Sequence, residues 1–455
     1  MADRKSRLYK LIKMEIETIG EENYDIRDIV MDFSYYESID SPFIRCDFTI
    51  LDSVDFNKAL MGGEIVNVKI VTDSSGDKPL NVKLRVHKIG SIIKSERGQL
   101  YIVHCVSPEM YNNEMEKVFK AFGPGKSTKD VDNIPKHICK KYLKAPNKKC
   151  KEENFEHHSK VTFISPNWRP VDVISYMSDK VSRVEGKGSG KGSKYQAGFL
   201  FFENRYGFQF KSIDLLCMGG GTPDGTDLFE YTYVQQGADP PSNGAYVIES
   251  ITYPDKANHL RNMRMGTFKT STISISLSNL SRSHMTNTGK SGKNAPAGTN
   301  YKGREITYKQ IFQRANTIHK ELPFDVPEDL SDATSTRIKY RISPSLKNQP
   351  ALGNDPENGT KADTNNIAVA EYASGRYSLL QAVQLTVSVP GNTALTAGQL
   401  VKVKIPASQE SGKNVKVDLK YSGKYLIQGL THVYTREGIT TKLVLTRDSI
   451  MKSTY

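Results

Sequence analysis

Tryptophan occurs once and cysteine five times in the 455 residues, and no apolar run is long enough to cross a bilayer. Cys46, Cys105, Cys139, Cys150 and Cys217 are odd in number and widely spaced. That excludes the disulfide framework of small secreted domains, and reduced thiols are expected. A secretory leader is lacking too: Met1 to Met14 is basic, but Lys10 and Lys13 interrupt its apolar residues and no cleavage site follows. Synthesis in the cytoplasm, without export, is the expectation.

Catalytic signatures are equally scarce. No Gly-x-Ser-x-Gly elbow and no His-Glu-x-x-His pair occurs, and Glu152-Glu153 reads as solvated charge. Gly125-Lys126-Ser127-Thr128 resembles the end of a phosphate loop, yet Lys120 stands where the first glycine is needed. Around Gly190-Lys191, Glu185 replaces that glycine and Gly192 the hydroxyl residue. His137, Cys139, Cys150, His157 and His158 offer zinc-ligand chemistry without the short Cys-x-x-Cys knuckle that preorganises such sites. No catalytic, cofactor-binding or metal-ligating residue is therefore assigned, no cofactor is expected, and the chain is read as a non-enzyme.

What is present is charge and alternation. The net charge of +13 allows long-range attraction to nucleic acid or any acidic partner. The basic runs Arg4-Lys5-Ser6-Arg7 and Lys148-Lys149-Cys150-Lys151 lack interleaved aromatics that could stack on bases. The length exceeds what one hydrophobic core serves, so about three or four domains of roughly 100 residues are expected.

From Phe43 to Val106 the apolar residues recur with period two. They begin with Ile44, Cys46, Phe48 and Ile50 and continue through Val66–Ile70, Leu80–Val86 and Tyr101–Val106. Turns at Asp73–Asp77 and Glu96–Gly98 predict an antiparallel barrel or sandwich. Beyond Pro108 the period lengthens, predicting helices over Met110–Phe122, Pro135–Leu143 and Pro170–Val184. Phe199–Glu203 and Tyr206–Phe210 then read as a hairpin closing on Asn204-Arg205. Strands return at Tyr246–Tyr253 and Thr270–Leu277 and, after a polar stretch with one helix over Thr307–Leu322, at Val383–Val389, Val401–Ile405, Tyr425–Leu430 and Thr441–Thr446.

Gly63-Glu64-Ile65-Val66-Asn67-Val68-Lys69-Ile70 aligns with Gly398-Gln399-Leu400-Val401-Lys402-Val403-Lys404-Ile405, with Gly, both Val, the second Lys and Ile shared. Duplication of one module is the reading. Three chains would then present six similar modules, and cyclic closure would cover sheet edges that otherwise invite aggregation.

The order barrel, small α/β domain, interrupted barrel resembles the central baseplate hub proteins of contractile-tailed, T-even-like phages. The residues that carry the resemblance are Ser41–Asp47, Met61–Glu64, Trp168-Arg169-Pro170, Ala197–Phe208, Ser422–Ile427 and Leu443–Asp448. The resemblance implies a β-rich α+β fold with two tube-type antiparallel β-barrel domains, residues 1–107 and a split second barrel over 218–280 and 371–455. A small α/β domain over 108–217 would lie between them, with a polar insertion carrying one helix over 281–370. It implies a structural subunit of the virion, a homotrimeric ring that connects a separate spike protein to the tail tube and other baseplate proteins. DNA would pass only through the bore, and this chain would insert in no membrane. Two competing readings remain: a basic nucleic-acid-binding protein and a zinc-dependent hydrolase.

Overall fold

The computed structural model describes residues 9–451, apart from 19, 21, 97 and 162 and the segments 73–78, 123–132, 158–160, 185–194, 224–225, 235–245, 254–258, 277–280, 284–301, 324–336, 344–366 and 408–416. The period-two stretches are strands: β1 (Tyr9–Glu17), β2 (Asn23–Asp25), β3 (Val30–Ser38), β4 (Arg45–Asp52), β5 (Ile65–Thr72), β6 (Leu80–Ser95) and β7 (Gly98–Val106). On β4, Cys46, Phe48 and Ile50 turn inward while Arg45 and Leu51 face out, the alternation that a half-buried strand requires.

Between the strand-rich ends lie α1 (Pro108–Met115), β8 (Val118–Phe122), α2 (Ile134–Lys141), β9 (Phe163–Trp168), α3 (Pro170–Ser178), β10 (Ser182–Val184), β11 (Tyr195–Ala197), β12 (Phe199–Asn204), β13 (Gly207–Ser212) and α4 (Ile213–Cys217). Pro108, Pro135 and Pro170 all sit in first helical turns, where a missing N–H costs nothing. The predicted helix over Met110–Phe122 is corrected. It stops at Met115, and Val118 and Phe122 are buried on a strand paired with β9. The helix from Pro170 likewise ends at Ser178, and Ser182–Val184 pairs with β11. The hairpin turns at Arg205-Tyr206, one residue beyond the expected place, since Asn204 pairs with Gly207.

The remainder comprises β14 (Glu230–Tyr233), β15 (Val247–Ile248), β16 (Ser250–Thr252), α5 (His259–Met265), β17 (Lys269–Ser276), β18 (Ser281–Ser283), β19 (Lys302–Thr307), α6 (Tyr308–Arg314), β20 (Arg337–Ser343), α7 (Ile367–Leu380), β21 (Val383–Pro390), β22 (Leu400–Lys404), β23 (Gly423–Thr435) and β24 (Gly438–Arg447). A capping box between Thr307 and Gln310 starts α6. The helix ends at Arg314, short of the predicted Leu322, where Ala315 becomes extended and the next N–H, that of Asn316, donates to Asp214. β17 pairs with β18, β19 and β20 in a separate four-stranded sheet.

The fold is β-rich α+β, dominated by one mixed sheet of 14 strands. Its path runs β15-β14-β22-β23-β3-β4-β7-β6-β5-β1-β2, with β24, β21 and β16 branching from β23. Among the described residues these pairings close no barrel. The long strand β23 reaches past its own neighbours to pair with β3, so the two strand-rich ends merge. One hydrophobic core follows the sheet across both, holding Phe33, Phe48 and Val66 together with Val401, Tyr434 and Leu443.

Candidate functional site: the seam between two half-sheets

Tracing neighbours on either side of β3 and β23 exposes a duplication. In the first half the spatial order is β1-β5-β6-β7-β4-β3, and in the second it is β14-β22-β23-β24-β21-β16. Taken in chain order, each strand of one half has its counterpart in the other. Val66 on β5 and Val401 on β22 hold equivalent places, opposite Leu84 and Tyr425. One irregularity repeats: β6 bulges between Val86 and Lys88, opposite Cys105 and His104, and β23 between Ile427 and Gly429, opposite Leu445 and Val444, while a second shift on β6, between Gly90 and Ile93, has no counterpart on β23. One difference is direction, because β1 runs antiparallel to β5 whereas β14 runs parallel to β22.

The seam is the antiparallel pairing of β3 with β23, seven residue pairs from Ser38–Gly429 to Asp32–Thr435. Inside it, Phe33 stacks on Tyr434 with ring centroids 4.1 Å apart, and Tyr35 stacks on His432 at 5.9 Å. Such aromatic pairs add about 0.5–1.5 kcal/mol beyond the area they bury. His432 Nδ1 lies 2.8 Å from Thr441 Oγ1, and burial drives its pKa down to about 3. The imidazole is thus neutral where a free histidine would charge.

Three buried ionic clusters flank the sheet. Glu37, on β3, accepts from Tyr35 Oη at 2.6 Å, Arg205 N–H at 2.9 Å, Thr396 Oγ1 at 2.7 Å and Ala397 N–H at 2.8 Å. Burial raises its pKa despite these donors. In the second cluster, Lys149 Nζ lies 2.9 Å from Glu109 and 2.6 Å from Glu203. Glu203 also accepts from the Ile44 N–H at 3.2 Å and from Ser107 Oγ. Burial pulls Lys149 down, but the two carboxylates outweigh it and hold its pKa above the ordinary lysine value. In the third, Arg376 on α7 places Nε 3.1 Å from Asp214 and Nη2 3.1 Å from the Asn316 carbonyl. Its Nη1 lies 2.8 Å from Asp448, a charge contact without hydrogen-bond alignment. Each cluster joins segments far apart in sequence, which is what a fixed arrangement of modules needs.

The zinc-type residues do not converge. Cys139 and Cys150 are buried side by side, and burial followed by their thiol–thiol hydrogen bond raises Cys139 while that bond lowers Cys150. His137 packs edge-on to Tyr142 and His157 edge-on to Phe210, and His158 lies outside the described residues. Among the described residues no three His, Cys, Asp or Glu side chains are grouped to hold a metal. Gly125–Thr128 and the loop around Gly190-Lys191 also lie outside the described residues. No described helix is long and apolar enough to cross a membrane.

Among solved structures, the tail protein from Neisseria meningitidis MC58 superposes with a TM-score of 0.52 at 12% identity, over 97% of each chain. This chain has the fold of that tail protein. The 43 kDa tail protein of prophage MuSo2 from Shewanella oneidensis follows at a TM-score of 0.47 and 9% identity, over 96% of this chain and 99% of that one. A prophage tail protein from Listeria monocytogenes EGD-e gives 0.46 and 9%, over 96% and 95%. No family model matches the sequence, and no curated protein matches it.

Proposed function

We propose that this chain is a structural baseplate hub subunit of a contractile phage tail. It forms a homotrimeric ring that connects a separate spike protein to the tail tube and lets DNA pass through its bore. Residues 1–107 act as one tube-type module and residues 218–280 with 371–455 as its duplicate, joined through 108–217 and decorated by 281–370. The sheet of that insertion takes in Lys269–Ser276 as well. The observation that carries this reading is the duplicated six-strand neighbour order within one chain. Two copies of one module per chain let three chains offer six similar faces, so that a threefold ring can meet a sixfold tube.

The likeness in fold to a tail protein supports the same reading. Light scattering on the purified chain, alone and with its spike, tests it: a trimer mass is expected, and monomers at every concentration overturn it. The net charge of +13 supports the second reading, a nucleic-acid-binding protein. Tight DNA binding by the monomer that weakens steeply with salt is the result that favours it.

A further inference from the structure

The two halves differ at one edge. On β23, the stretch before the turn is covered by β3, which leaves Tyr434 only 1% exposed. On β6, the equivalent stretch pairs among the described residues with β7 alone, and Ile92 is 47% and Ile93 62% exposed. The counterpart of β3 is β16, which pairs with β21 and, among the described residues, with no strand on its other edge. One chain therefore carries both partners of a second seam, on separate edges.

We propose that β16 of a second copy of this chain adds antiparallel to the outer edge of β6, reproducing between chains the seam that β3 and β23 form within one. This rests on the ring reading above and names its interface. The register follows from equivalence. Both hairpins close alike, Ser95 opposite Gly98 and Thr435 opposite Gly438, which makes Ile93 the counterpart of Val433. Phe33 lies opposite Phe48 and Ile251 opposite Val387, strand positions that themselves face Val103 and Leu443, so Thr252 is the counterpart of Ser34. Since Ser34 faces Val433, Thr252 of one chain faces Ile93 of the next, Ile251 faces Lys94 and Ser250 faces Ser95. The contact is head-to-tail, so copies add around an axis until the ring closes. It also covers these two edges and two exposed isoleucines at once.

The Ile39 N–H donates to the Gln428 carbonyl at 2.9 Å, which puts Ser34 and Val433 in the non-hydrogen-bonded phase of the ladder. There Cα atoms lie roughly 4.5 Å apart, within disulfide reach. The full chain is prepared as Ile93→Cys, as Thr252→Cys and as the double variant. All five native thiols are buried, which keeps background low. On mild oxidation the mixed single variants are expected to give a linked dimer that neither gives alone, and the double variant a closed covalent ring of one size. Lys94→Cys paired with Thr252→Cys, out of register, stays unlinked. Hydrogen exchange on the unaltered chain gives an independent readout: the amides of 92–95 and 250–252 become protected together as the oligomer forms.

If the wild-type mass is oligomeric but neither linking nor joint protection occurs, the edge pairing is wrong and the ring reading stands. Linking of Ile93→Cys with itself overturns the head-to-tail arrangement. Joint protection that needs a different tail protein, not a second copy, assigns the edge to that protein and overturns the proposal. Monomers at every concentration overturn both readings.

Discussion

Acid should open the seam through one histidine. His432 sits fully buried on β23 between Tyr35 and Thr441, and burial, aided by the nearby Arg205 charge, lowers its pKa to about 3. In the unfolded chain its pKa returns to about 6.5. Between these values the unfolded state binds a proton that the folded state refuses, so stability rises with pH. The contribution is intact above pH 6.5 and is lost progressively as pH falls toward 3. From pH 7 to 5 the loss is about 2 kcal/mol, and the limiting slope is about 1.4 kcal/mol per pH unit. Glu37 and Asp214, whose carboxyls burial raises, act with the opposite sign over an overlapping acid range. The assay is therefore differential: urea unfolding of wild type and His432→Asn at pH 7, 6 and 5. Asparagine keeps a polar group near Thr441 and has no proton to take up. The gap between the two proteins should narrow by about 2 kcal/mol across that range. Parallel stability curves would refute the argument and mean that His432 is hydrated or already charged.

Removing Arg376 strands Asp214 and Asp448 in the core. Arg376→Ala should cost about 3–5 kcal/mol in urea unfolding. Arg376→Lys should restore little, since one ammonium cannot span both carboxylates and the Asn316 carbonyl. Lys149→Met leaves Glu109 facing Glu203 without a cation, at a similar cost of about 3–5 kcal/mol near neutrality. That cost should shrink between pH 8 and 5, because protonation of a carboxyl with a raised pKa removes the repulsion. Gly207 has φ +107, and a Cβ there would lie 2.5 Å from the Lys149 carbonyl oxygen. Gly207→Ala should therefore lower the melting temperature, by the equivalent of roughly 1–3 kcal/mol.

Where a single period governs a segment, the sequence was readable. β4, β5, β22 and most of β24 alternate cleanly because one face of each lies on the core. β1 and β3 carry the same alternation, with Met14, Ile16, Phe33 and Tyr35 inward, but charge at Lys10, Lys13 and Asp32 masked it. α7 escaped notice for the opposite reason. Ala370, Tyr372, Ala373, Arg376 and Leu379 are all buried, so the helix shows no polar stripe to set off an apolar one. Val118–Phe122 extended a helical run on composition, yet its buried ends match a strand. The seam itself was beyond local pattern. Ser38 donates to the carbonyl of Gln428 across 390 residues, and periodicity announces a strand without naming its neighbour. The polar clusters were equally hidden, since Glu37, Lys149 and Arg376 read as surface charge until the fold encloses them.

Two similar half-sheets in one chain raise a problem of choice. β3 could add to the edge of β6 in another copy of the chain as readily as to its own β23 if only main-chain hydrogen bonds counted. Glu37 removes that ambiguity. Its buried carboxylate is satisfied by Thr396 Oγ1 and the Ala397 N–H, from the loop before β22, and by the Arg205 N–H. Arg205 in turn reaches back to the carbonyls of Pro79 and Thr393, and Thr72 Oγ1 meets Thr393 Oγ1 at 3.1 Å. In the alternative pairing the carboxylate loses those donors and stays buried, a cost of several kcal/mol. That exceeds the roughly 0.2–1 kcal/mol of any one cross-strand pair, so the charge directs β3 to the second half. The described residues of β16 are Ser250, Ile251 and Thr252. Among the described residues the charge thus commits β3 to β23, and the outer edge of β6 is left without it.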